Sequence, residues 1–533
     1  MSGIIAHTRG DPISTDVASQ TSQRVRLDSA RGRWIIAAMA LGSGMIFLDS
    51  TVVNVALPKI QSDLTASLSG LQWIINAYTL LLAALLLIGG SLGDVYGRKK
   101  AFIAGLLIFT LASVACGLAP NLGVLIAARA VQGIGGALLV PCSLAIITAV
   151  IDEGDTGRAI GMWAGLSGVT TALGPLLGGY LVDAVTWRAI FFINVPLAAV
   201  TLYALVAHVP ANRDDEATRD LDWPAALAII AGLGGMTYGL IQGPTGGWSS
   251  FQVLIAFVIG IAGLALFPIR ELFAAHPMVP LSAFRSRNFS GANLATIGVY
   301  FSLSGAFLFL ILDLQQVQGY SALAAGASLL PVTILMLFLS PRIGALTGRF
   351  GARGLMTTGA FVVAGGCLLL AIGGRNVSYG VNVFPGVVVI GLGLSVFVTP
   401  LTVTVMSSVP GHLAGVASGV SNTLTRIASL LAIAILGVVI LARFDSSLSH
   451  SLQTAHLSSA ARVTLLRHDS QLAADPLPSG LSAAQRNSVR IAIGDSYIAG
   501  FRWAMYVCAA LCASSGVLAL ATIRTERRTQ VSS

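Results

Sequence analysis

The chain has 533 residues, 55% of them hydrophobic and only 10% charged, with a mean hydropathy of +0.83 and a formal net charge of +9. A soluble globular chain carries about 25% charged residues, so the composition excludes that class and indicates a polytopic membrane protein. The positive charge is dispersed between apolar runs rather than gathered on one stripe, which argues for basic loops beside a bilayer and against nucleic acid as a partner.

Residues 1–33 are polar and read as a mobile cytoplasmic tail, with the first apolar span serving as its own uncleaved insertion signal. Apolar runs then recur near 34–57, 71–93, 101–119, 122–150, 159–182, 190–209, 223–242, 250–269, 289–313, 322–346, 354–373, 381–407, 413–442 and 497–522. These make about fourteen helical spans, a crossing taking about 20 residues.

The first span carries a carboxylate. Counted back from Pro58, Asp49 lies roughly 12–14 Å inside the membrane, where a charge is costly and its default reading is functional. The alternative is a hydrogen bond to a neighbouring helix and nothing more. In the second span, Asn76 and Tyr78, with Asn54 in the first, are candidates for cavity contacts or for interhelical packing.

Gly89–Lys100 is a tight loop in which Gly93 and Gly97 allow conformations barred to other residues. Asp94 can accept from amides at the next helix's start or pair with a nearby arginine. Arg129 lies about 12 Å deep, level with Asp49, and needs a counter-ion or a polar cavity there. Gly174-Pro175-x2-Gly178-Gly179 predicts a bend or a sealed helix contact in the fifth span.

Gly90–Lys99, after the second span, aligns with Gly344–Arg353, after the tenth. Equivalent loops separated by eight spans imply two six-span halves, 34–209 and 289–522, with two extra spans in the linker 210–288 and a closing tail 523–533. Asp313 is a second deep acid, near the outer end of the ninth span, and can also be an interfacial solvated residue. The segment 443–496 reads as a long outer loop.

Arginine and lysine set the orientation. Arg98, Lys99, Lys100, Arg158, Arg213, Arg219, Arg270, Arg285, Arg287, Arg342, Arg349 and Arg353 fall on one side, against Lys59, Arg188 and Arg375 in short loops on the other. That bias places both termini in the cytoplasm. The seven tryptophans fall near predicted span ends, as an interfacial belt requires. The five cysteines lie in apolar runs and read as small buried thiols. No phosphate-binding loop can be completed, since no lysine stands in the needed context, and there is no His-Glu-x-x-His. Neither an enzyme nor a metal or cofactor site is expected.

The loop at Gly90, Asp94, Gly97, Arg98 and Lys99 resembles the signature of the major facilitator superfamily. Leu125-x3-Arg129-x2-Gln132-Gly133-x-Gly135-Gly136 is similar to that family's fourth-helix motif, and Gly174, Pro175, Gly178 and Gly179 to its antiporter motif. Phe47–Pro58, Leu71–Tyr78, Trp187-Arg188 with Asn194-Val-Pro196, Gln318–Ser321 and 285–288 are similar to the 14-spanning drug:proton antiporters. The resemblance implies an all-α fold of two six-helix bundles plus two extra helices, with the first and fourth helices lining a central cavity and Arg129 near Asp49.

It further implies a monomeric exporter in a bacterial plasma membrane. Lipophilic cationic or neutral drugs or toxic metabolites would leave in exchange for protons by alternating access, with Asp49 and Arg129 coupling the two and the Asp94 loop as inner gate. A proton-coupled transporter of one metabolite, antibiotic or siderophore is the alternative. With one carboxylate and one guanidinium expected in the deep cavity, lipophilic anions rank last among substrates.

Overall fold

Where no water can satisfy a bare amide, an apolar chain must hydrogen-bond its own backbone, and the helix does so without a partner strand. The computed structural model describes residues 24–210, 222–274, 281–375, 378–409, 414–452, 472 and 481–524. Among them, fourteen helices are long and apolar enough to cross a membrane. The protein is a multi-pass membrane protein.

The first six spans are α1 (Ala30–Leu64), α2 (Leu68–Tyr96), α3 (Arg98–Gly117), α4 (Leu122–Val150), α5 (Glu153–Ala184), and a sixth made of the short α6 (Ala189–Phe192) and α7 (Asn194–His208). Two further spans follow, α8 (Trp223–Gly246) and α9 (Phe251–Phe273). The last six are α10 (Arg287–Leu312) with a π turn at Asp313–Val317, α11 (Ala322–Ala327) leading into the long α12 (Leu330–Ala371), which covers two spans, α13 (Phe384–Ser407), α14 (Ala414–Ser451) and α15 (Ala483–Thr522). Side-chain oxygens of Ser29, Ser67, Asn121, Ser286 and Ser482 cap α1, α2, α4, α10 and α15, each accepting from a backbone amide left free in the first turn.

The repeat is visible in the backbone. Gly97 (φ 99°) separates α2 from α3, and its counterpart Gly351 (φ 75°) breaks α12 into its two spans. Both occupy the left-handed side of φ, where a Cβ is strained, so glycine holds the same corner in each half. The charges are not repeated: Asp94 pairs with Arg98 at 2.8 Å, while Gly348 and Ala352 stand at the matching places.

The extra pair forms its own hairpin. Gly232 meets the Gly263–Leu264 backbone, Gly235 meets Gly260, and Asp222 pairs with Arg270 at 3.2 Å. The hairpin lies over the seam between the bundles, with Ile229 and Leu233 of α8 packed on Leu80 and Ala84 of α2 and Leu430 of α14.

Three expectations change. Residues 24–29 are not a free tail: Val25 bridges to Ile151, Arg24 pairs with Glu153 at 2.8 Å, and the Leu27 amide donates to Asp155 at 3.0 Å. These contacts carry α1 back to Ala30. The outer segment is shorter than 443–496, because α14 runs on to Ser451 and α15 starts at Ala483, behind a capping box of Ser482 and Gln485. The tryptophans are not all interfacial: Trp187 is fully buried and donates to Asp63 at 2.9 Å, and Trp163, well inside α5, donates to Ser43 at 3.2 Å. The basic residues Arg213 and Arg219, tail residues 1–23 and 525–533, and segments 453–471 and 473–480 lie outside the described residues. All five cysteines are buried and free.

An even number of spans leaves Ala30 and Thr522 on one side. With every native thiol buried, impermeant thiol reagents should label Thr65→Cys and Ser250→Cys on intact cells, and Glu153→Cys only after the membrane is opened. Labelling of all three from one side would refute the assigned topology.

Candidate functional site

Glycines on α4 set the spacing of the first bundle. A Cβ on Gly133 would run into the Tyr78 carbonyl of α2, and one on Gly135 into the Phe109 backbone of α3. Packed this closely, α4 presents Arg129 and Gln132 to α1, the two being one turn apart on the same helical face.

There Arg129 Nη1 donates to Asp49 Oδ2 at 2.5 Å and to Gln132 Oε1 at 2.8 Å, and Gln132 Nε2 donates to Asp49 Oδ1 at 2.9 Å. The three groups close a ring. Arg129 Nε donates to the Ile74 carbonyl at 3.2 Å, and its guanidinium lies 4.2 Å from the Tyr78 ring centroid. Asp49 and Gln132 are wholly buried and Arg129 is 1% exposed. A buried charge is tolerable only when paired and hydrogen-bonded, and both carboxylate oxygens and the guanidinium meet that condition.

The ring holds an acid and a base together out of water and ties α1 to α4.

Below this ring, between the bundles, lies a cavity of about 420 Å³. Phe47 of α1, Trp163 of α5, Tyr300 of α10, Met406 of α13 and Asn422 and Thr425 of α14 line it. It belongs to the end of the molecule that carries the Gly97 corner.

The opposite end is sealed across the bundles. Gly179 of α5 meets the backbone of Ala322 and Leu323, and Gly326 of α11 meets the Pro175 carbonyl. Asp183 accepts from the Ala322 and Leu323 amides at 3.2 and 2.8 Å. Gln315 donates to the Val55 carbonyl at 2.9 Å, and Gln316 to Gln61 at 2.7 Å. Gly174 and Gly178 close α5 on α1 at Thr51 and Val52. The Gly174–Gly179 motif is thus a two-sided contact surface, within a helix that is continuous from Glu153 to Ala184.

The remaining sequence candidates scatter. Tyr78 stacks on Arg129 and donates to the Ile46 carbonyl at 3.4 Å. Asn76 is fully buried one turn from Gln72, with both amide atoms unpartnered among the described residues. Asn54 is half-buried on α1. Asp313 opens the π turn at the sealed end, buried beside Gln318 Nε2 at 3.4 Å, away from the cavity. At the Gly97 corner, Arg98 also donates to the Ala145 carbonyl at 3.3 Å and Lys99 to the Val209 carbonyl at 2.6 Å, so the loop is tied to α4 and to the chain beyond α7. Gly93, in the same motif, gives room to Cys142 of α4, whereas Gly90 faces Pro141 at ordinary contact distance.

Sequence reasoning passed over Gln132 as a site residue, although its place three residues after Arg129 on a helix was a usable signal. Asp183 carried no local signal, because its partners are distant in the chain. No cluster of three histidine, cysteine or acidic side chains suited to a metal occurs among the described residues.

Two helical bundles enclosing a central cavity, sealed at one end, are the architecture of an alternating-access transporter. A family model described as Major Facilitator Superfamily matches residues 39–433, and the chain belongs to that superfamily. It is 36% identical to "Multidrug resistance protein Stp" of Mycobacterium tuberculosis (strain CDC 1551 / Oshkosh), over 79% of this chain and 78% of that one. It is 32% identical to "Tetracenomycin C resistance and export protein" of Streptomyces glaucescens, over 93% of each. Among solved structures, a bacterial homolog to the human lysosomal transporter Spinster, in an inward-facing and unoccupied conformation, matches with a TM-score of 0.60 at 18% identity, covering 94% of this chain and 100% of that one. That likeness concerns the fold.

Removing one partner of a buried ion pair costs about 3–5 kcal/mol, because the other charge is left bare. Arg129→Gln should therefore lower thermal stability in detergent more than the double variant Asp49→Asn/Arg129→Gln does, and Gln132→Ala should cost about 1–3 kcal/mol. Equal stability of the Arg129 single and the double variant would show that the two charges are not coupled.

Proposed function

We propose that this protein exports lipophilic drugs or toxic metabolites across a bacterial plasma membrane in exchange for protons, as a monomer and by alternating access. The observation that carries the reading is the Asp49–Arg129–Gln132 ring, a titratable carboxylate buried beside a cavity between two bundles. In this conformation the cavity can load from the side of the Gly97 corner, which the arginine and lysine distribution makes cytoplasmic.

The coupling follows from electrostatics. With Asp49 charged, Arg129 holds α1 to α4. With Asp49 protonated, the guanidinium keeps only Gln132, Ile74 and the Tyr78 ring, and the balance between the two arrangements of the bundles shifts. Outward opening must break the hydrogen bonds of Asp183, Gln315 and Gln316 and part the small apolar cluster of Val55 with Ile311 and Ala322. The names of the relatives, one a multidrug resistance protein and one a resistance and export protein for a single compound, support export as the direction. A panel of compounds separates broad export from transport of one metabolite.

Asp49→Asn keeps the size of the side chain but cannot titrate. In proteoliposomes with an imposed pH gradient, the variant should insert normally and lose uphill export. Undiminished uphill export would remove Asp49 as the proton carrier. Asp94→Ala, which frees Arg98 from its ion pair, should slow turnover by changing the balance of open states while leaving substrate affinity in a fixed conformation near that of the wild type. An equal fall in both would place Asp94 in the binding site.

A further inference from the structure

Arg129 is not alone at depth: a second guanidinium, that of Arg426, lies next to residues that line the cavity. Arg426 lies on α14, about 18 Å along the helix axis from Ala414, at membrane depth. It makes no hydrogen bond and no ion pair among the described residues; the Phe47 ring lies 5.5 Å from the guanidinium carbon, and the phenols of Tyr78 and Tyr300 are within electrostatic reach. Arg129 is in the opposite condition, with Asp49, Gln132 and a backbone carbonyl all engaged. Both oxygens of Asp49 are taken by Arg129 and Gln132.

Arg426 also lies where a ligand would meet it. Phe47 lines the cavity, and so do Ser418, Asn422 and Thr425, the residues of α14 that lead up to Arg426. Asn422 is one turn before Arg426 on the same face. Helical side chains lean toward the helix N-terminus, so the guanidinium is carried back toward Asn422 and the cavity. Tyr300, across the cavity on α10, is within electrostatic reach of it.

A bland alternative is a cation held in place by the aromatic ring alone. A cation–π contact of this kind is weak beside the cost of stripping water from an unpaired arginine. Arginine does not shed its proton, and the depth is too great for its head group to reach the interface. Arg426 is half-buried, so water in the open cavity can solvate it; a compound that fills the cavity displaces that water, and an acidic group on the compound replaces what the guanidinium loses.

We propose that Arg426 is the docking point for an acidic group on the exported compound, so that the substrate class is lipophilic anions: aromatic or aliphatic carboxylates, or acidic phenols and enols. The proposal rests on the export reading and reverses the charge order expected from the sequence. The apolar wall of Phe47, Trp163, Tyr300 and Met406 takes the body of the compound. The hydroxyl and amide groups of Asn422 and Thr425 flank its charged end.

The test is equilibrium binding to the purified protein in nanodiscs, with three probes: pyrenebutyrate, its methyl ester, and tetraphenylphosphonium. The wild type should bind the carboxylate more tightly than the ester. Arg426→Gln should weaken the carboxylate about tenfold or more, as expected for loss of a charge-assisted contact, and leave the ester within about twofold. Arg426→Lys, which keeps the charge but not the fork, should recover part of the loss. Retained ester binding shows that each variant is folded. A wild-type preference for the ester or the phosphonium, an unchanged carboxylate affinity in Arg426→Gln, or an equal loss of all three probes would each overturn the proposal. Binding needs no gradient, so failure of the export reading registers separately, as uphill transport that survives Asp49→Asn.

Discussion

Taking a carboxylate and a guanidinium out of water costs several kcal/mol per ion, and only close geometry with further hydrogen bonds offsets it. Much of the first bundle follows from meeting that condition for Asp49 and Arg129. The pair closes only if α1 and α4 are held at one spacing. The glycines at 133 and 135 bring α2 and α3 against α4 from the other side. Gln132 then supplies what a simple pair lacks, a donor for the second carboxylate oxygen and an acceptor for the guanidinium. The Ile74 carbonyl is open to Arg129 Nε although α2 is helical at that point, and Tyr78 floors the guanidinium.

The sealed end obeys a different rule. It uses backbone carbonyls, amides and short polar side chains that cross from one bundle to the other: Asp183 on the first amides of α11, Gln315 on Val55, Gln316 on Gln61. Small residues bring the backbones near enough for this. Those hydrogen bonds have alternative partners in water, so breaking them costs little, and the apolar surface to be exposed with them is the small cluster of Val55, Ile311 and Ala322. The ion-pair ring sits inside one bundle and sets how α1 meets α4, whereas the seal joins one bundle to the other.

The spans, their number and the repeat were legible in the sequence because hydropathy over about 20 residues is a strong signal and because glycine at 97 and 351 marks a backbone requirement. Asp49 and Arg129 were legible for the same reason in reverse, being charges where charges are costly. What depends on distant pairing was not legible. Nothing near Asp183 announces α11 as its partner. Trp187 looked interfacial until its indole was found buried against Asp63. Arg426 was not singled out, since a sequence does not show which neighbours leave a cation without an acid. The helical extensions to Ser451 and from Ala483 were hidden by their polar composition, which hydropathy scores as loop.

The hairpin of α8 and α9 has a mechanical consequence. Internally it is stapled by the Asp222–Arg270 pair and by glycine contacts, whereas it meets α2 and α14 through Ile229 and Leu233 on Leu80, Ala84 and Leu430, with the Tyr238 ring 6.3 Å from that of Trp73. Dispersion contacts of this kind have no preferred direction and lose little when surfaces slide by an ångström or two. A pair of helices fastened to itself by polar bonds and to its neighbours by grease behaves as a bearing plate. It can stay over a seam whose two edges change angle.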